Sequence, residues 1–289
     1  MRYVLNVIGE GAGGAHYTTY LPDNGPGVML AESRAIEVSF GGDPAKALAA
    51  ARAANADRPF DINVVPEEGR RKKLLIADMD STIINCECLD ELADMAGLKD
   101  KVSAITERAM RGEIEFAGAL RERVALLKGL PLEALDRVWR ERVRLNPGAK
   151  ELVATMKAHG AYTLLVSGGF SFFTERVAQA AGFDEHQSNM LIDDGKALTG
   201  EVREPILGRE AKLAALETAL AKLGIDAADA LAVGDGANDL AMIQRAGLGV
   251  AYHAKPVVAE AAGASIVHNN LKALLYLQGY RKKEIIGCA

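Results

Sequence analysis

Asp78-Met79-Asp80-Ser81-Thr82 puts two carboxylates two residues apart, directly after the apolar run Leu74-Leu75-Ile76-Ala77. On a loop that leaves a strand, two such groups can converge on one site, the arrangement needed for nucleophilic attack beside acid–base work. Gly234-Asp235-Gly236-Ala237-Asn238-Asp239 supplies two more carboxylates among glycines that let the backbone turn tightly. Ser167-Gly168-Gly169 offers a hydroxyl and unobstructed N–H groups ahead of a predicted helix, an anion site, and Lys212 offers a positive point charge. Taken singly, these are also what an Asp-rich cap, two glycine turns and a surface lysine look like. Their order at successive strand ends favours one shared site.

The elements that must position them can be read from the apolar pattern. Leu74 to Ala77, Tyr162 to Val166 and Ala230 to Val233 are short apolar runs of the kind buried on both faces of a parallel sheet. Helical patterns follow at Phe170 to Ala181, Glu210 to Leu223 and Asn238 to Ala246, with Leu213, Leu216, Leu220 and Leu223 on one face. The fold class is therefore α/β, a doubly wound parallel sheet whose ligand site lies beyond the strand ends that carry Asp78, Ser167 and Asp235. Residues 86–146 are helical only, with Gly97, Gly112 and Gly129 at helix ends, Pro131 opening a helix and Pro147-Gly148 closing the stretch. Such an insert is a helical cap over the strand ends. A hairpin is expected within Asn189 to Val202, around Asp193-Asp194-Gly195.

Residues 1–70 read as a small α+β domain and residues 71–289 as the main one. Arg2 to Ile8, Ala35 to Phe40 and Asp61 to Val65 are its strands, Pro44 to Ala54 its helix, and Gly11 to Gly14 and Gly25 to Gly27 its loops. Pro66 to Lys73 reads as a linker with a solvated basic run.

With 289 residues, 25% charged, 49% apolar and a net charge of −5, the chain is of ordinary globular composition and lacks the basic footprint of a nucleic-acid binder. No run reaches the length of a membrane span, and the N-terminus has no signal-peptide pattern. Three cysteines, Cys86, Cys88 and Cys288, are too few for a disulfide scaffold or a four-thiolate zinc site, and a reducing cytoplasm fits them. Cys86 and Cys88 are expected to pack. The five histidines, His16, His159, His186, His253 and His268, lie outside every motif.

The four motifs in order, Asp78-x-Asp80-Ser81-Thr82, Ser167-Gly168-Gly169, Lys212 and Gly234-Asp235-Gly236-x-Asn238-Asp239, resemble those of the haloacid dehalogenase-type phosphohydrolases, and within them the phosphoserine phosphatases. The resemblance covers about residues 74–280. It implies Asp78 as the nucleophile that forms an aspartyl-phosphate and Asp80 as proton donor and acceptor. Ser167, the N–H of Gly168, Lys212 and Asn238 would bind the phosphoryl oxygens, with Asp239 behind them. Four carboxylates against one lysine would repel a phosphate dianion, so the resemblance also implies Mg²⁺ on Asp78, Asp235 and the backbone carbonyl of Asp80.

The cap carries the choice of leaving group. In the predicted helix Glu113 to Lys128, Phe116, Leu120, Arg123 and Leu127 share a face, and a guanidinium in an apolar stripe calls for a partner or a route to water. Glu, Phe and Arg in this pattern resemble the substrate pocket of the phosphoserine phosphatases, which implies Arg123 on a substrate carboxylate, Glu87 on its ammonium and Phe116 beside them. The implied reaction is hydrolysis of phosphoserine as the last step of serine biosynthesis. Transfer to another hydroxyl acceptor such as homoserine, or action on a related small phosphomonoester, shares the same motifs. A receiver module phosphorylated on Asp78 is the non-enzyme reading, and Asp80 argues against it. The N-terminal domain resembles a reduced ACT-like unit in which Gly-rich sequence stands where a helix is expected after the first strand. A homodimer is compatible with the resemblance.

Overall fold

The computed structural model describes residues 1–14, 21, 23–111 and 113–287. Near the N-terminus, Tyr3–Ile8 (β1), Val28–Ala31 (β2), Ala35–Phe40 (β3) and Asp61–Pro66 (β4) form a sheet in the order β2-β3-β1-β4. β1 is antiparallel to both β3 and β4. The helix between β3 and β4, Pro44–Ala54 (α1), starts where the Asp43 carboxylate accepts the N–H groups of Ala45 and Lys46 at 2.9 and 3.2 Å. Alternation sorts the strand residues: Leu5, Val7, Ile36, Val38 and Ile62 meet Ala47 and Ala51 of α1, whereas Val4, Ile8, Ala35 and Val65 join the core of the rest of the chain.

The main sheet is Leu74–Ala77 (β5), Tyr162–Phe170 (β6), Glu185–Asn189 (β7), Ala230–Gly234 (β10), Leu248–Tyr252 (β11) and Ala264–Ile266 (β12), in the order β12-β11-β10-β5-β6-β7 and parallel throughout. The apolar runs are unbroken because both faces are covered. Leu74, Ile76, Leu164, Val166, Ala230 and Ala232 pack on Ala215, Leu216, Ala219 and Leu220 of Arg209–Leu223 (α8). Leu75, Ala77, Leu165, Leu231 and Val233 face Ala149–Ala158 (α6) and Ser171–Ala181 (α7) through residues such as Leu152, Val153, Phe173 and Val177. The chain builds β5, β6 and β7 outward on one side, then β10, β11 and β12 on the other, so the order reverses between β5 and β10. That switch point is where such sheets place ligands.

Between β5 and α6 the cap comprises Cys88–Met95 (α2), Lys99–Met110 (α3), Phe116–Ala125 (α4) and Glu133–Glu141 (α5). The expected hairpin is Leu191–Asp193 (β8) paired with Leu198–Val202 (β9). The smaller helices Leu240–Arg245 (α9), Pro256–Ala261 (α10) and Ala273–Leu277 (α11) complete the fold. Among the described residues, no helix is long and apolar enough to cross a membrane.

Several expectations need correction. The helix predicted over Glu113 to Lys128 spans only α4, because Leu127 and Lys128 turn back through bonds to Val124 and Ala125. Pro131 pairs with Ala197 in an isolated bridge, and α5 begins two residues later. The helix expected from Asn238 is a 3-10 turn over Ala237–Asp239 that leads into α9. The basic run of the linker is solvated only in part: Arg70 is largely covered and meets Glu37 at 2.6 Å, whereas Arg71, 4.2 Å over the Tyr280 ring, and Lys73, 3.0 Å from Asp229, stay exposed. Gly112, His16 and Cys288 lie outside the described residues, as do residues 15–20 of the segment in which a helix after the first strand was in question.

Candidate active site

β5 and β10 are neighbours, and their carboxyl ends set the floor of the site. Asp78 continues the ladder, its N–H donating to Val233 O at 3.0 Å. The turn Met79–Ile83 follows, in which Ser81 takes the left-handed conformation with φ 55. This turn separates the two carboxylates. Asp78 is buried and accepts Lys212 Nζ at 2.6 Å. Asp80 accepts the Cys88 N–H at 3.1 Å through Oδ1 and the Ser167 hydroxyl at 3.3 Å through Oδ2. Lys212, in the first turn of α8, also donates to Asp239, whose second oxygen accepts the Gly236 N–H at 3.0 Å.

The glycines are required by these contacts. A methyl group at Gly234 would overlap the Asp239 carboxyl, and one at Gly169 would come within 2.8 Å of Asp80 Oδ2. The Gly169 N–H is taken by Ser167 Oγ at 2.8 Å, so of the two glycine N–H groups it is Gly168's that this bond leaves for a ligand.

One cation shared by two buried carboxylates cannot neutralise both. Burial, with Asp239 close by, holds the Asp78 acid well above its ordinary range despite Lys212. Burial and the Glu87 charge push Asp80 to about 7. Burial and Asp239 push Asp235 to about 6, against the Thr82 hydroxyl that donates to it at 3.1 Å. Burial works against the Lys212 charge, yet Asp78 and Asp239 raise its affinity for the proton. A site so short of positive charge suits a cation. Asp78, Asp235 and Asp239 present carboxylate oxygens within 4.8 Å of one another, a hard all-oxygen set that fits a divalent ion of the Mg²⁺ type.

Above this floor the cap closes a cavity of ≈ 470 Å³. Asp78, Asp80, Ser167, Gly168, Asp235 and Asn238 line it from the sheet; Glu87, Phe116 and Arg123 line it from the cap. The Phe116 ring lies against Gly168 and Gly208, where added methyl groups would stand 3.2 and 3.3 Å from it. Arg123 makes no ion pair among the described residues; its Nε reaches only Ala119 O at 3.3 Å, and burial lowers its affinity for the proton against Asp90 and Glu87. Glu87 Oε1 accepts the Ser81 hydroxyl at 2.6 Å. All the expected site residues thus gather at one cavity, with Lys212 and Asp239 just beneath its floor.

The sequence reading missed Thr82, which holds Asp235, and Asn189, whose side chain ties Gly168 O at 2.8 Å to both backbone groups of Leu207. It also missed Lys255 and Val257 in the cavity wall. Thr82 lay inside the quoted motif; nothing in the polar stretch around Asn189 signalled its role. Cys88 is buried in the core and Cys86 packs against it, and no described histidine lines the cavity.

Residues 75–244 match the family of haloacid dehalogenase-like hydrolases. A phosphoserine phosphatase of a Polaromonas species is 52% identical over 211 residues, which cover 71% of this chain and 89% of that protein. A phosphoserine phosphatase of Archaeoglobus fulgidus is 48% identical over 205 residues; the match spans 71% of this chain and only 59% of that protein. A haloacid dehalogenase family hydrolase of Salmonella enterica serovar Typhi superposes with a TM-score of 0.86 at 30% identity, covering 96% of this chain and 98% of that one. The match spans more than half of the chain and includes Asp78, Ser167 and Asp235 along the main sheet and Lys212 on α8: the chain belongs to the haloacid dehalogenase-like hydrolase family.

Proposed function

We propose that this hydrolase cleaves O-phospho-L-serine to L-serine and phosphate through an aspartyl-phosphate on Asp78, as the closing step of serine formation in the cytoplasm. One observation carries the reading. A single cavity joins a phosphate floor to an Arg123 guanidinium with no ion pair among the described residues, with Glu87 beside it. A carboxylate and an ammonium on one small molecule match Arg123 and Glu87 in charge, and its phosphate would match the floor once a divalent cation offsets the acids there. The names of the relatives support it.

In this mechanism Asp78 Oδ attacks phosphorus in line as the P–O bond to the seryl oxygen breaks, and Asp80 gives that oxygen its proton. Asp80 then takes a proton from the water that hydrolyses the acyl phosphate. Ser167, Gly168 N–H, Lys212 and Asn238 hold the phosphoryl oxygens while charge spreads over them. Mg²⁺ on Asp78, Asp235 and the Asp80 carbonyl, backed by Asp239, would offset the acidic excess and polarise a phosphoryl oxygen. The cap excludes water during transfer. The strand order β2-β3-β1-β4 with α1 supports reading residues 1–70 as a reduced ACT-like unit beside a phosphatase unit over 71–289, capped at about 86–146.

The test is a panel of phosphomonoesters assayed with and without Mg²⁺, and with homoserine as a competing acceptor. Free phosphate from phosphoserine, unaltered by homoserine, is the expected result; no turnover of phosphoserine defeats the reading, and phosphohomoserine would make the enzyme a transferase. Arg123→Ala should raise KM for phosphoserine about tenfold or more, the scale of a lost charged hydrogen bond, and leave KM for a neutral aryl phosphate nearly unchanged. Equal effects on both would refute the carboxylate role.

A further inference from the structure

Val257 and Val258 of α10 line the cavity, and Lys255, just before the helix, lines it with them. Topology brings it there. β11 lies beside β10, and the chain leaving its carboxyl end reaches Lys255 next to the end that carries Asp235. Its backbone is fixed: Pro256 opens α10, and the N–H groups of Val258 and Ala259 bond to Lys255 O at 2.9 and 3.1 Å. Its side chain is exposed and makes no ion pair or hydrogen bond among the described residues. Lys212, by contrast, is held between Asp78 and Asp239, and Arg123 sits in the cap. An anion approaching this cavity meets the acids Asp78, Asp80, Glu87 and Asp235 on its wall.

We infer that Lys255 draws the anionic substrate into the cavity and takes no part in bond making. The inference rests on the reading that the cavity receives a phosphomonoester. A flexible ammonium at the mouth of an acidic, low-dielectric cleft offsets the repulsion felt on approach, and salt screens it. It serves the phosphate group, so it does not discriminate between leaving groups, unlike Arg123.

The experiment compares the wild-type chain with Lys255→Met, Lys255→Glu and Lys255→Arg, measuring kcat and kcat/KM for phosphoserine and an aryl phosphate across a salt series. Lys255→Met should lower kcat/KM about five- to tenfold at low salt for both substrates, with kcat within about twofold and a flatter salt dependence. Lys255→Glu should fall further, and Lys255→Arg should retain most of the rate. Unchanged kcat/KM at low salt, or a matching fall in kcat, would overturn the inference. Binding of inorganic phosphate to the Mg²⁺-loaded protein, read by calorimetry, needs no identified substrate. It should weaken in Lys255→Met even if phosphoserine is not turned over, and equal affinity would count against Lys255 on its own.

Discussion

In the proposed mechanism Asp80 is the proton donor, a role that near neutrality needs a raised pKa, and burial together with the Glu87 charge raises it to about 7. Above that pH the carboxyl ionises, the leaving oxygen loses its proton source, and kcat falls on the alkaline side. Glu87→Gln removes a negative neighbour, so the ionised form of Asp80 becomes easier to reach and its pKa drops. The alkaline limb of kcat should therefore move to lower pH. The measurement is a pH profile on an alkyl phosphomonoester without an amino group, which has no ammonium for Glu87 to bind but whose leaving oxygen still needs a proton; an unmoved limb would show that the Glu87 charge does not bear on Asp80. Asp235, raised to about 6 by burial and Asp239, gives a second prediction without substrate. Its folded pKa exceeds the unfolded value, so its contribution to stability is present in acid and is lost as pH rises through about 6. In metal-free protein at pH above 7, Asp235→Asn should raise Tm by a few degrees, and added Mg²⁺ should reverse the ranking by stabilising only the wild type. A lower Tm for metal-free Asp235→Asn would sink the claim.

The cap is joined to the sheet by two passing segments, and their contact is specific. Ile84 and Leu145 form an antiparallel bridge, Asn146 N donates to Ile83 O at 2.8 Å, and Asn146 Nδ2 donates to Thr82 O and Ile84 O at 2.8 and 3.0 Å. The same amide thus steadies the backbone of Thr82, whose hydroxyl holds Asp235. Asn146→Ala frees two carbonyls and should cost about 1–2 kcal/mol, read as a lower midpoint in urea, with a rise in KM as the cap seats less firmly. No change in the midpoint would mean that water replaces the amide at no cost. At this scale the sequence was legible where burial is two-sided. β5, β6 and β10 announce themselves as unbroken apolar runs, and the motifs at their ends followed. β7 is an edge strand written in polar residues, Glu185 to Asn189, so no pattern marks it. β11, Leu248 to Tyr252, is apolar but carries Gly249, a residue that weakens a strand pattern; it is glycine because a methyl there would overlap Ile243 O of α9. Missing β11 meant missing Lys255 behind it.

β12 is an edge of the main sheet, and an uncovered edge invites pairing with another chain. The N-terminal sheet covers it with side chains. Asn63 of β4 donates to Ser265 O at 3.0 Å and accepts Ser265 N–H at 2.9 Å, as a strand would. The Asp61 carboxylate accepts the N–H groups of Val267, His268 and Asn269 at 2.7, 3.1 and 3.0 Å, and Asn269 Nδ2 at 2.8 Å. With Arg70 on Glu37, these contacts latch the N-terminal sheet to the main one beside the segment read as a linker, and the two sheets share one core. Composition and periodicity cannot show this, since Asp61 and Asn63 sit in a strand pattern whose polar positions read as solvent-facing. Asp61→Ala would strand several N–H groups at the junction and should cost about 2–4 kcal/mol in urea unfolding, while kcat stays within about twofold because the catalytic floor is untouched. Asp61→Asn keeps an acceptor and should cost less. Asp57→Ala, at an exposed position on the same unit, is the control. An equal loss in Asp57→Ala and Asp61→Ala would show that the junction contributes nothing beyond an ordinary surface charge.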